Sequence, residues 1–287
     1  MEAVEQLIRE PERLPTLPSV ATRALEELER KDCDFEEVAS LVSLDPVISA
    51  RVLRLANSAF FGAQRKADSV EEAIARLGIR ECRSLILTVA LMEAVPDLPP
   101  PHNAKVFWTL SLASALIAER LAHDIGYGRP ERAYLAGLVH LLGEAVLAIQ
   151  FTERFRRACE VSRRDGLPLA ISLTEEFGCD HAALTAKILE RWAFPQQVIE
   201  AVRIQFTPTA RCSDPLLPCL IVAADGICRD RGLGLQEHGR RPREWLSLLP
   251  EHFAGGLREA GYADLAVYMG SLDVAIQEAI DFALTVF

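Results

Sequence analysis

Six histidines, His102, His123, His140, His181, His238 and His252, carry all the imidazole chemistry of this chain. Metal-assisted hydrolysis draws its ligands from imidazole and carboxylate, so a histidine becomes a candidate where acidic residues fall close to it. The stronger catalytic signatures are missing: there is no H-E-x-x-H helix, no Cys/His zinc spacing and no G-x-S-x-G elbow. Gly126-Tyr127-Gly128 has no strand before it and does not read as a phosphate-cradling loop. His123-Asp124 is the one adjacent His-Asp pair. Such a pair on one helical turn can bind a metal, with the carboxylate bridging to a second ion. It stands at a helix end before Ile-Gly-Tyr-Gly, however, where both side chains are expected to face water, with the imidazole near the negative end of the helix dipole. His140, in the apolar stretch Ala136–Glu144, is expected to be buried and hydrogen-bonded.

The elements that position these residues are helices. Apolar residues recur at helical spacing throughout, and no run alternates as a strand would. Helices are predicted near 2–9, 19–31, 35–43, 46–56, 70–77 and 79–94, then near 104–123, 130–142, 144–164, 168–177, 180–193, 196–206 and 215–229. Asp34 with Glu37 and Ser69 with Glu72 have capping-box spacing. Asp45-Pro46 sets a cap before a first-turn proline, and Gly78 and Gly166 stand where helices should end. Val95–Pro101 contains three consecutive prolines, which no helix continues through. The expectation is an all-α chain of two lobes: an N-terminal helical bundle with its linker over 1–101, a second helical lobe over 102–242, and a helical tail over 243–287.

Composition narrows the function. The 287 residues are half hydrophobic and one quarter charged, ordinary for a globular chain. A net charge of −10 argues against binding a phosphate backbone. The basic cluster Arg154, Arg156, Arg157, Arg163 and Arg164 reads as a solvated helix face. Seven cysteines without a C-x-x-C pair read as reduced thiols, buried where they lie on apolar faces, as at Cys82 and Cys219. Met1–Glu10 is too charged for a secretory leader, and Val106–Ala118 is too short to span a bilayer, so a cytoplasmic protein is expected.

Several motifs recur in a definite order. Leu14-Pro15-Thr16-Leu17-Pro18 opens a helix, followed by Leu44-Asp45-Pro46, by Ala56–Gly62 and by Val70–Gly78. Phe107-Trp108, Ala136–Leu147, Asp180-His181, Trp192-Ala193-Phe194-Pro195 and Ala223-Ala224-Asp225 continue the series. In order and spacing this resembles the HDOD domains, a branch of the HD phosphohydrolase superfamily, over roughly residues 12 to 230. The resemblance implies that the second lobe is a degenerate HD domain. It sets Leu110 at the first histidine of the superfamily, His140-Leu141 at the His-Asp dipeptide, Gln205-Phe206 at a further His-His pair, and Asp225 at the last aspartate. Leucine has no lone pair to offer, so two of these vestigial positions, His140 and Asp225, keep candidate ligands, whereas a catalytic centre needs at least three and an open position.

The resemblance therefore implies a non-catalytic module of bacterial signal transduction, without metal or cofactor. It would meet signalling proteins in trans, two-component or cyclic-dinucleotide pathway members among them, and neither nucleic acid nor membrane. Two alternatives stay open: a metal-dependent phosphohydrolase of nucleotides or cyclic dinucleotides, and a sensor holding a small ligand in the vestigial pocket. The N-terminal motifs also have scaffold roles, with Leu17, Val20, Leu25, Leu28, Val38, Leu41 and Leu53 as core and Asn57 as a helix end.

Overall fold

The structure, a computed structural model, describes residues 14–17, 19–29, 46–57, 66–95, 97–208, 211–234, 251–259 and 272–286, with positions 4, 7, 10, 35, 39, 42, 268 and 270 besides. Every regular element among the described residues is a helix. The chain is all-α, as its periodicity predicts.

Two compact units divide the chain, one formed by Thr16–Pro96 with Gln277–Phe287, the other by Met1–Pro15 with Asp97–Ile276. The change at Pro96 falls inside the proline-rich segment.

In the unit begun by Thr16, the helices are α1 (Ser19–Glu29), α2 (Pro46–Ala56), α3 (Val70–Leu77) and α4 (Ile79–Ala94). The cap at Ser69 is real: its hydroxyl accepts from the Glu72 N–H at 3.1 Å, while the Glu72 carboxylate reaches back to the Asp68 N–H at 3.0 Å. Gly78 closes α3 at φ 88°, a conformation costly for any residue with a β-carbon. Asn57 does more than end a helix. Its amide donates to the Ala67 carbonyl at 3.0 Å, and its oxygen accepts from the Ala67 N–H and from Arg76. The predicted cap pairs at Asp34 and Asp45, and residues 58–62, lie outside the described residues.

The other unit carries α5 (Ala104–Asp124), α6 (Pro130–Val139), α7 (Leu142–Gln150), α8 (Thr152–Asp165), α9 (Leu169–Phe177), α10 (His181–Arg191), α11 (Gln196–Arg203), α12 (Leu216–Asp230) and α13 (Glu251–Glu259); α14 (Asp273–Val286) begins in it. Helices α5, α6 and α12 pack as its centre. Gly137 lets α6 approach α5 closely, because a β-carbon there would lie 2.8 Å from the Ala115 backbone. The long helix expected over 144–164 is two helices. The chain breaks at Phe151, where the Thr152 hydroxyl turns back to the Ala148 carbonyl. Pro130–Gln150 is apolar enough to cross a membrane by composition, yet it is interrupted at His140-Leu141 and 89% of its apolar window is buried inside the structure.

Trp192 Nε1 donates to the Pro15 carbonyl at 3.1 Å, which holds Pro15 against the end of α10. Along the arginine-rich face of α8, Arg154 and Arg157 pair with Glu176, Arg156 with Glu153 and Glu160, and Arg164 with Asp165. The cysteines Cys82, Cys159, Cys219 and Cys228 are buried free thiols, whereas Cys179 and Cys212 are only half-buried.

Candidate functional site

A buried polar network lies where α6, α7, α10 and α12 converge. His140 sits in the break between α6 and α7, fully buried. A helix end leaves carbonyls without intrahelical partners, and here Gln205 Nε2 donates to the His140 carbonyl at 3.2 Å, with Thr185 Oγ1 at 3.4 Å. The imidazole stands between two acceptors. Nδ1 donates to the Gly137 carbonyl at 2.7 Å, and Nε2 lies 3.3 Å from Asp225 Oδ1.

Asp225, also buried, faces a second cation. Arg229, one helical turn along α12, places Nε 2.8 Å from Oδ1 and 2.9 Å from Oδ2. Burial works against the Arg229 charge, but Asp225 and, farther off, Glu144 outweigh it, so its pKa is raised. The i, i+4 spacing of Asp225 and Arg229 is visible in the sequence, but the reading of single candidate ligands missed it.

A second cluster adjoins the first. Glu144, in the first turn of α7, is buried with Oε1 3.3 Å from His181 Nδ1 and Oε2 3.7 Å from His102 Nε2. None of these three figured as a candidate, because Glu144 stands 42 residues after His102 and 37 before His181. His102 stacks on Phe155 at 4.9 Å and meets the edge of Phe107. Burial, helped by the Arg229 charge, lowers its pKa to about 4 from the ordinary 6.5. Below pH 6.5 the unfolded chain therefore takes up a proton that the folded chain refuses. The stability His102 gives when neutral is present above 6.5 and is lost as pH falls toward 4. The expected loss is about 3 kcal/mol between pH 7 and 4, and His102→Phe should remove most of that slope in urea melts.

The six expected site positions do not all gather. His140, Leu141, Gln205, Phe206 and Asp225 do, with Leu141, Gln205, Phe206 and Asp225 lining a cavity of about 20 Å³ beside Glu144, His181 and Arg229. Space for about one water is all this offers. Phe206 is half-buried, its ring edge-on to His181 at 5.2 Å. Leu110 is buried but outside the cavity lining, against the Gly234 backbone. His123 is exposed as expected. Asp124 is not: it is half-buried and accepts from Tyr268 and Arg120.

Three comparisons place this geometry. A protein of Treponema pallidum (strain Nichols) is 26% identical over 194 residues, which cover 66% of this chain but 37% of that protein, so the chain spans well under half the length of this relative. The crystal structure of an HDOD domain protein of unknown function from Geobacter sulfurreducens superposes with a TM-score of 0.85 at 26% identity, covering 100% of this chain and 99% of the other. A Shewanella amazonensis structure, from a proposed phosphohydrolase, shares the fold with a TM-score of 0.75 at 23% identity, covering 99% and 98%. The HDOD domain family model matches residues 14–208, more than half of the sequence, and with the motif order and the shared architecture this places the chain in the HDOD family.

Proposed function

We propose that this chain is a non-catalytic signal-transduction module of bacterial cytoplasm, acting by protein interaction rather than by turnover. The observation that carries the reading is the engagement of Asp225 by Arg229 through both carboxylate oxygens. Where the HD superfamily pattern calls for a divalent cation, this site supplies a guanidinium covalently fixed to the chain. The rest of the donor set agrees. Leu110 and Leu141 have no lone pairs, and the two ring nitrogens of His140 already face the Gly137 carbonyl and Asp225. These residues do not fit a metal centre of the HD kind, and no hydrolytic step is derived from them.

The test sets hydrolysis against capture. With added manganese or magnesium, turnover of cyclic dinucleotides and nucleoside phosphates should stay at background. Capture of partners from native cells should survive chelators and survive Asp225→Ala combined with Arg229→Met, since protein interfaces depend on buried aromatic and apolar anchors. Turnover that rises with metal and disappears in His140→Ala would replace this reading with a phosphohydrolase.

A further inference from the structure

The cavity beside the polar network has a deep end and a mouth. Glu144, His181, Gln205 and Asp225 line it as buried residues, whereas Pro168, Ala170 and Phe206 are half-buried where it meets the surface. Gln205 gives the clearest sign of what belongs there. It is 4% exposed, and its Nε2 is turned to the carbonyl of His140, a residue that does not line the cavity. The cavity side of the amide is therefore its carbonyl oxygen, which has no hydrogen-bond partner among the described residues. A buried acceptor left unpaired is costly, and this one is aimed where a donor can enter.

Size and charge define that donor. The cavity holds about 20 Å³, room for one water-sized group. The head of a carboxylate, a phosphate or a guanidinium is several heavy atoms across and does not fit; an ammonium or a hydroxyl does. Asp225 and Arg229 cancel through their two-oxygen contact, and the first turn of α9, at Leu169 and Ala170, brings about half a positive charge. Glu144 brings a full negative one. His102 beside it does not offset this at neutral pH, since burial lowers its pKa to about 4. The balance favours a cation. The walls are apolar at Leu141, Pro168, Leu169 and Phe206, which suits a hydrocarbon stem rather than a hydrated inorganic ion.

We propose that this cavity binds a primary alkylammonium group. Its three N–H donors meet the Gln205 oxygen and the Glu144 and Asp225 carboxylates, and its stem leaves past Ala170 and Phe206. The inference rests on the reading of the site as non-catalytic, because it puts an organic cation where a hydrolase would hold its metals. It gives the module an input of defined chemistry, supplied by a free small amine or by a lysine side chain of a partner protein.

Titration of the full chain, with its histidine rings labelled for NMR, tests this at about pH 8, where an ordinary imidazole is neutral and an alkylamine is still charged. n-Butylammonium should move the His181 ring signals saturably, and butyrate, n-butanol and inorganic ammonium should each bind about tenfold more weakly or worse. Ala170→Phe fills the mouth without removing a polar group and should abolish the response. Nα-acetyl-lysinamide separates the two sources: shifts like those of butylammonium assign the site to a partner's lysine, and shifts with butylammonium alone assign it to a free amine. The absence of a saturable shift overturns the ammonium site. So does equal binding of butanol or butyrate, or a response that persists in Ala170→Phe. Metal-dependent hydrolysis of nucleoside phosphates by the same preparation overturns the non-catalytic reading beneath it instead.

Discussion

Asp225→Ala is expected to destabilise the chain by about 3–5 kcal/mol, because it strands the Arg229 guanidinium in the interior. Arg229 keeps 14% of its side chain exposed and Asp225 9%, too little for water to replace the lost carboxylate. The cost comes from the charge left behind more than from the pair itself. Asp225→Ala with Arg229→Met should therefore recover most of the loss, since replacing a buried pair with packed apolar groups is often neutral. Asp225→Asn, which keeps acceptor oxygen but not charge, should fall between. Urea denaturation followed by tryptophan fluorescence reads all three, and a single-variant loss below about 1 kcal/mol would show that the pair is solvated.

Gly143→Ala should cost about 3 kcal/mol or more, although it adds a single methyl group. Gly143 lies in the first turn of α7, where that helix crosses the start of α10. Its N–H donates to Thr185 Oγ1 at 2.8 Å. A β-carbon would overlap the His181 backbone carbonyl and sit 2.9 Å from Thr185 Oγ1. Backbone cannot rotate aside as a side chain can, so the helices must separate, and the Glu144–His181 contact goes with them. Gly128→Ala is the control, since nothing lies within 4 Å of its added carbon; it should stay within about 0.5 kcal/mol of the parent. Equal effects at the two glycines would mean that the α7–α10 crossing is loose enough to absorb the methyl.

The local grammar of the chain was legible. The spans 46–56, 70–77 and 79–94 match α2, α3 and α4 residue for residue, because Pro46, Ser69, Gly78 and the prolines after Val95 act within one turn of where they stand. The break at Phe151 was not legible, since neither proline nor glycine marks it and the apolar spacing runs on across it. His140 could be placed in the interior from its apolar neighbours. Asp124 was misjudged, because the Tyr268 that covers it comes 144 residues later.

The sequence by itself determined an all-helical chain and the order of its HDOD motifs. Only the tertiary structure decided what the remaining polar groups do. Glu144, His102 and His181 become one cluster because α5, α7 and α10 converge, and Arg229 becomes the cation of the site because α12 is buried on the side that carries Asp225. Caps and periodicity are interactions over three or four residues, which a reader of sequence can count. The charge state and partners of a buried group depend on which distant helices exclude water from it, and no spacing along the chain records that.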